Sequence, residues 1–443
     1  MISSYRTVTA VLMIAFCAVL VLGCGDTFRP TINVEPTPTG DPSSLQQALV
    51  LATNPAGNGS TTHINVSGDT NVGVVTVGSN PVFLGKDAAR AFVVNSFNGT
   101  ANTVSLYLAL LPSSPALTTV TLPTTSPTPS DIKPVAGGFG GTNGNIYIAE
   151  SAINAVTLII TNNLVASGNI PVGTEPVAVA GNANNGKVYV VNHGSNNVSV
   201  ISTVDNSVIG SPIAVGSQPI WAVMSDDGTQ VFVINQGGNS VTVIDTATDT
   251  VSATITGFSS PNYAVYDSRF KRLYVSNTGN NTIGVIRSDV SPPAALPSPI
   301  AVSGTPTSVA VLSDGSRVYA ALGNCPAGTN QLNFVATITN PGNCLGNTVA
   351  VIDSQALHQT KTITVGSGAV SVDASSDASK VYVVNAHDAT ASIIRTASDT
   401  ELLNAQGQPA RVHAPEQNLS CINPSSCPPS GTPQIPFMVK AFP

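Results

Sequence analysis

Between Lys187 and Pro219 the chain reads K-V-Y-V-V-N-H-G-S-N-N-V-S-V-I-S-T-V-D-N-S-V-I-G-S-P-I-A-V-G-S-Q-P, and a close relative of this stretch recurs about every 42 residues. The residue that ends the V-Y-V-V-N segment marks copies at Asn95, Glu150, Asn192, Asn235, Asn277, Leu322 and Asn385, spaced by 55, 42, 43, 42, 45 and 63 residues. The short spacings define the unit, and the two long ones carry insertions. A fixed period of this size means stacked supersecondary units that share a core with their neighbours. A chain of 443 residues can therefore form a single domain instead of several separate cores.

One unit resolves into four short strands. Pro176 to Ala180 is apolar, and Asn184-Asn185-Gly186 is a turn whose residues tolerate positive φ. Val188 to Val191, Val198 to Ile201 and Ile213 to Val215 follow, with a polar turn from Asn192 to Asn197. Gly216-Ser217-Gln218-Pro219 then begins the next unit. Four antiparallel strands per repeat make a propeller blade, and neighbouring blades that cover both faces of each sheet explain strands that are apolar almost without interruption. The composition agrees: 42% hydrophobic but only 9% charged, with much of the polarity in Asn, Thr, Ser and Gly, which favour strands and turns.

The seven copies predict an all-β fold, a seven-bladed β-propeller of four-stranded antiparallel blades. Closure is expected from an N-terminal strand in the last blade. Val72 to Gly78 copies an outer strand such as Thr362 to Gly366, whereas the last unit offers only the polar Thr400 to Gln408 at that place. An N-terminal strand there would pin the two ends and leave no open edge.

V-Y-V-V-N followed by N-V-S-V-I-S, and V-F-V-I-N with S-V-T-V-I-D between Val231 and Asp245, resemble the YVTN β-propeller repeat family over roughly residues 62–400. The resemblance implies a propeller in an exported or cell-surface setting and is nearly silent on activity. The tryptophan-aspartate repeat of intracellular propellers is absent, since the chain has a single Trp.

At the N-terminus, Arg6 precedes an apolar run from Val8 to Leu22 that ends in Val21-Leu22-Gly23-Cys24. The run is too short to span a bilayer but suits a signal-peptide core. Gly23-Cys24 resembles the lipobox of bacterial lipoproteins, which implies a signal peptide over residues 1–23 and a lipid on Cys24. The Pro- and Thr-rich stretch that follows makes residues 24–44 a tether from that lipid. The propeller is then assigned to residues 45–400, with an insertion at 323–346, and a Cys- and Pro-rich tail to residues 401–443. The expected location is the cell envelope, on the periplasmic side or at the outer membrane or cell surface, with the membrane as a partner through the lipid.

Cysteine use fits an oxidising compartment. Sequence proximity favours disulfides Cys325–Cys344 and Cys421–Cys427, and no C-x-x-C supports a redox or haem-attachment site. No cofactor and no metal are expected. A net charge of −7 without Lys or Arg clusters argues against nucleic acid as a partner. The protein is expected to be a monomer.

Candidate binding residues are those just before each inner strand, which would ring the channel mouth: Asn80, Lys133, Glu175, Gln218, Ser260 and Thr305. Gly368 completes this ring in the seventh unit. Lys133 and Glu175 stand in adjacent blades where an ion pair could form. Trp221, inside the inner strand of the fourth unit, offers a stacking platform at the channel. The Asn that ends the second strands is assigned to turn structure, and Glu150 is an exception without a sequence explanation. No catalytic motif is present. The favoured reading is a binding or surface scaffold that meets a protein or other extracytoplasmic ligand on the insertion-bearing face. The alternatives are a lactonase-like hydrolase with its site at the channel mouth and a redox-partner propeller.

Overall fold

The computed structural model describes residues 46–54, 57–87, 90–96, 102–107, 117–123, 133–182, 185–330, 332–340, 342–413 and 434–441. The expected lipidation site at Cys24, the expected tether and the expected Cys421–Cys427 pair lie outside the described residues. Among the described residues no helix is long and apolar enough to cross a membrane.

Among the described residues the strands form eight antiparallel sheets, and this corrects the expectation of seven blades. Seven sheets follow the repeat, and we number them in chain order from blade 1, which begins at Pro81, to blade 7, which begins at Ala369. In blade 3, Pro176–Gly181, Lys187–Asn192, Asn197–Ser202 and Val208–Ala214 run from the innermost strand to the outermost. Blades 5 and 7 build their outer strand from two short pieces, Ala294–Ala295 with Ile300–Ala301 and Thr400–Glu401 with Val412–His413.

The eighth sheet is assembled from both ends of the chain. Gln47–Thr53, Asn58–Asn65 and Thr70–Ser79 supply its second, third and outer strands, and Ile435–Ala441 supplies the innermost one. The segment around Val72 to Gly78 is thus an outer strand, as its sequence suggests, but it belongs to a blade of its own and not to blade 7. N-terminal strands do take part in closure, together with the C-terminal strand.

Burial follows position in the blade. Second and third strands are covered on both faces, as in Gln230–Asn235 and Ser240–Asp245, while the outer strand Thr250–Thr256 is largely exposed. Inner strands of blades 1 to 5 open on a proline, at Pro81, Pro134, Pro176, Pro219 and Pro261. Proline is tolerated at the first residue of a strand because it has no N–H to contribute to the ladder. A register shift follows at once, for instance between Pro219 and Trp221. Such a bulge bends the strand and re-aims the side chain after it.

The Asn that ends the second strand ties strand two to strand three. Asn235 Nδ2 donates to Ser240 Oγ at 3.1 Å and to Thr242 Oγ1 at 2.9 Å, and Asn385 does the same with Thr390 and Ser392 at 3.0 and 2.9 Å. Its role is structural, as the sequence suggested, but the partners are strand hydroxyls instead of the turn backbone. A glycine before the inner strand makes room for it: a Cβ on Gly216 or Gly366 would stand 2.6 Å from the Asn side chain.

Blades are clasped to their neighbours by a second repeated device. Lys187 and Tyr189 of blade 3 reach Asp249 of blade 4, at 2.7 and 2.6 Å. Arg317 and Tyr319 of blade 6 reach Asp399 of blade 7, at 2.7 and 2.5 Å. Lys380 of blade 7 pairs in the same way with Asp69 of the closure blade and with the Val66 carbonyl. Asp69, Asp249 and Asp399 all sit in the left-handed region, with φ of 54, 54 and 50°, which Asp tolerates better than most residues.

Candidate functional site: the channel and the face above it

The rim residues adopt one repeated turn. Asn80, Lys133, Glu175, Gln218 and Ser260 have φ between 40 and 56°, and Gly368 has φ of 78°. The backbone N–H of Glu175 is capped by Asn154 Oδ1 at 2.9 Å, that of Gln218 by Asn196 at 2.7 Å and that of Ser260 by Asn239 at 2.8 Å. In each case the cap comes from the preceding blade. Thr305 departs from the pattern: its N–H is capped at 2.8 Å by Asn324 of its own blade, and its hydroxyl donates to Asn281 of blade 5. The side chains at these places vary while the backbone repeats, because the turn asks for a left-handed residue with a capped N–H and little else. Lys133 and Glu175 make no ion pair with each other among the described residues, and Lys133 is exposed.

Trp221 is placed differently. Its ring lies in the channel wall, 5.2 Å from the Tyr263 ring and 6.3 Å from Phe83. These residues, with Phe437 and Met438 of the C-terminal strand, line a cavity of about 60 Å³. Its polar lining comes from Asn262, Thr307, Ser308, Ser371 and Lys440. The indole Nε1–H of Trp221 is buried and has no acceptor among the described residues.

Beyond this cavity the channel carries its charges. Lys86 Nζ stands 3.3 Å from Asp373 Oδ2 and also meets the Ala441 carbonyl, and the Ala441 N–H donates to Asp373 at 2.9 Å. Burial works against the Asp373 carboxylate, but Lys86 and Lys440 outweigh it and hold its pKa below the ordinary range. Lys440 is likewise kept charged against burial, by Tyr263 and Asp373. Its ammonium donates to Tyr263 Oη at 3.3 Å and lies 5.9 Å from the centre of that ring.

The insertion covers the mouth. It leaves blade 6 after Leu322 and rejoins it at Thr348, and a disulfide joins Cys325 to Cys344. Within it a short helix, Phe334–Ile338, places Phe334 in the cavity wall. Asn330 Nδ2 donates to Gln236 Oε1 of blade 4 at 2.7 Å, and His387 of blade 7 lies 2.7 Å from the Asn343 carbonyl through Nε2. The lobe is therefore held on two blades besides its own. His193, by contrast, contacts the Pro219 carbonyl at 3.0 Å. Among the described residues no group of His, Cys, Asp and Glu side chains is arranged to hold a metal ion.

Glu150 is fully buried where blades 1, 3, 4, 5 and 7 carry Asn. Thr157 Oγ1 lies 2.5 Å from Glu150 Oε1 and 2.8 Å from Asn169 Oδ1, yet a hydroxyl has a single hydrogen to give. Thr157 gives that hydrogen to Glu150 Oε1, and the contact with Asn169 is satisfied when the Asn169 amide, whose Nδ2 has no other partner among the described residues, turns an N–H toward Thr157. Burial pushes the Glu150 pKa up to about 7, partly opposed by the Thr157 bond. The Glu150 carboxyl thus takes the place of the Asn amide and bonds the third-strand hydroxyl seven residues on, as Asn235 does with Thr242.

Sequence reasoning found Trp221 but missed Tyr263, Phe334, Asp373 and Lys440. The missed signal for Lys440 is P-F-M-V-K at Pro436–Lys440, which has the proline-led form of the inner strand P-I-W-A-V-M at Pro219–Met224.

Comparison with known proteins places the fold. Residues 154–331 match the family model described as YNCE-like beta-propeller. No curated protein matches the chain. The solved structure titled "Dihydro-heme d1 dehydrogenase NirN in complex with DHE" is similar over 80% of this chain and 72% of its own, at 13% identity and a TM-score of 0.60. A functionally unknown protein from Desulfotomaculum acetoxidans DSM 771 aligns over 71% of this chain and 94% of its own, at 12% identity and a TM-score of 0.53. A putative 6-phosphogluconolactonase from Bacteroides fragilis NCTC 9343 aligns over 90% of this chain and 99% of its own, at 11% identity and a TM-score of 0.53. At such identities the likeness concerns the fold alone. The chain is a β-propeller repeat protein, here with eight blades.

Proposed function

We propose that this protein is an exported, lipid-anchored propeller that acts as a binding scaffold, and that it meets a protein partner with the insertion-bearing face. The observation that carries the reading is the insertion itself. Its disulfide and its hydrogen bonds to blades 4 and 7 hold a rigid lobe across the channel mouth, and Leu332 and Leu345 on it are 37 and 55% exposed. Rigid loops on a propeller face are a common place for recognition, and exposed leucines beside a polar rim suit a protein surface. The Gly23-Cys24 signal and the Pro- and Thr-rich stretch after it supply the anchor and tether in this reading.

The test is affinity capture from the native envelope with the intact protein and with a variant whose residues 326–343 are replaced by a short Gly-Ser link. Loss of the captured partners, with the melting curve of the ring preserved, is the expected result. An unchanged set of partners contradicts the choice of face. Cys24→Ala is expected to shift the protein from the membrane to the soluble fraction, and membrane retention of that variant contradicts the anchor.

A further inference from the structure

We propose that the seam between blades 4 and 5 binds a small aliphatic amine in its protonated form, which supplies the cation that other seams draw from their own chain. The site is formed by the turns that follow the third strands, on the face opposite the insertion. It is therefore independent of the docking face proposed above.

Three observations carry it. The first is a gap in the repeated clasp. Blades 1, 3, 5, 6 and 7 place a cation at one position at the start of the second strand: Arg90, Lys187, Arg272, Arg317 and Lys380. Four of these meet the carbonyl just after the third strand of the next blade, Lys187 at Thr246 (2.9 Å), Arg272 at Ser354, Arg317 at Thr396 and Lys380 at Val66. Blade 2 has Asn145 there but keeps the tyrosine of the clasp, since Tyr147 donates to Asn206 at 2.7 Å. Blade 4 has neither partner: Gln230 stands in the place of the cation and Phe232 in that of the tyrosine. The carbonyl that a cation would meet at this seam is that of Ser288.

The second observation is space. A hollow of about 350 Å³ opens where the clasp is missing, lined by Gln230 and Ser288 among others, and this volume falls within the range of small-molecule sites, about 300–1,000 Å³. Gln230 bonds Ser225 Oγ through its backbone N–H at 3.0 Å, while its side-chain amide makes no hydrogen bond among the described residues. The third is the kind of polar atom on offer. Ser252 and Ser288 spend their hydroxyl hydrogens on the carbonyls of Val243 and Lys271, at 3.2 and 3.0 Å, and so face the hollow as acceptors. Asp289 is answered by Arg287, at 3.0 and 2.8 Å. Asp245 is not answered by any cation among the described residues: its bonds, from Ala247 N–H and from the N–H and hydroxyl of Thr248, all fall on Oδ1. An ammonium brings three donors and no acceptor, and Val290 and Pro292 offer apolar surface to its methylene chain. A neutral polyol would leave the Asp245 charge uncompensated.

The test is a calorimetric titration of the intact protein with putrescine, with butanediol as its neutral counterpart. Putrescine is expected to bind saturably and about tenfold tighter than butanediol, as charge-assisted hydrogen bonds imply. Gln230→Lys restores the cation in the form blade 3 has it and should abolish putrescine binding. Gln355→Lys adds the same charge at an exposed residue outside the hollow and should leave binding unchanged. Asp245→Asn should reduce putrescine to the level of butanediol. Equal binding of the two probes, no saturable heat, binding that survives Gln230→Lys, or equal loss in both lysine variants overturns the proposal. Should Gln230→Lys fail to fold, the comparison of the two probes on the unaltered protein and on Asp245→Asn decides.

Discussion

The seam between blades 3 and 4 and the seam between blade 7 and the closure blade use the same clasp under different conditions. At the first, Lys187 and Tyr189 both reach Asp249, and the ion pair is about one quarter exposed. At the second, Lys380 is 1% exposed and pairs with Asp69 across 311 residues of chain, while Tyr382 Oη has no partner among the described residues. Ordinary seams join consecutive repeats, so chain connectivity helps to hold them. At the closing seam the chain runs on only into the inner strand, Ile435–Ala441, while Asp69 comes from the other end of the chain, so this seam relies on a buried charge pair and on the two chain ends pairing within one sheet. Its blade also lacks the repeat's side chains: Gln47, Thr61 and His63 are buried where other blades carry mostly Val and Ile. The comparison teaches that register and position define a blade here, and that the motif is only the usual way to fill it.

The largest effect that would sharpen this comparison comes from removing the C-terminal strand. A chain that ends before Ile435 should lose the cooperative melting of the whole ring, because the closure blade then has no inner strand and the channel wall loses Phe437, Met438 and Lys440. Replacing the outer strand Thr70–Ser79 with a flexible linker should lower the melting temperature by much less. Equal effects of the two changes would break the distinction between inner and outer closure.

Next come the clasps. Asp69→Ala leaves a buried lysine without its counter-charge and should cost about 3–5 kcal/mol in denaturant unfolding. Asp249→Ala, at a more exposed pair, should cost about 1 kcal/mol. Similar losses at both sites would show that closure is not the more demanding seam.

Glu150, in a repeat blade, and His63, in the closure blade, have opposite pH slopes. Glu150 has a raised pKa in the folded state, so the folded form prefers the proton that the unfolded chain gives up at lower pH. Its site is unperturbed below about 4.5 and loses stability as pH rises to about 7, by on the order of 3 kcal/mol in full. Glu150→Asn should therefore raise the melting temperature at pH 8 and change it little at pH 4.5. His63 is buried beside Gln47 and Thr61, and burial lowers its pKa to about 4. Stability from this site is complete above 6.5 and falls as the pH drops, by on the order of 2 kcal/mol between pH 7 and 5. His63→Gln should flatten that acid limb in a melting series from pH 7 to 5.

Much of this was legible in the sequence, and the part that was not has a physical reason. The V-Y-V-V-N period gave the strands of seven blades, and two nearby cysteines gave the Cys325–Cys344 bond. The eighth blade escaped because the periodic signal depends on side chains, and Leu49-Val50-Leu51-Ala52-Thr53 carries neither the Tyr nor the Asn. Its place is nevertheless regular: Thr53 precedes Asn95 by 42 residues and faces Ile435 as Asn192 faces Pro176. The inner strand of that blade is separated from the other three by nearly the whole chain, which no local pattern can reveal. The rim residues were chosen by position, and their variety reflects a turn that tolerates many side chains. Lys440 was missed because it could be placed in the channel only after the closing strand was placed in the ring.

The central claim is an eight-bladed ring closed by Ile435–Ala441 as an inner strand. Hydrogen exchange of the peptide that covers these residues tests it most directly. Protection comparable to that of Pro219–Met224, the inner strand of blade 4, is the predicted result; exchange within seconds, at the rate of an exposed tail, would contradict the account.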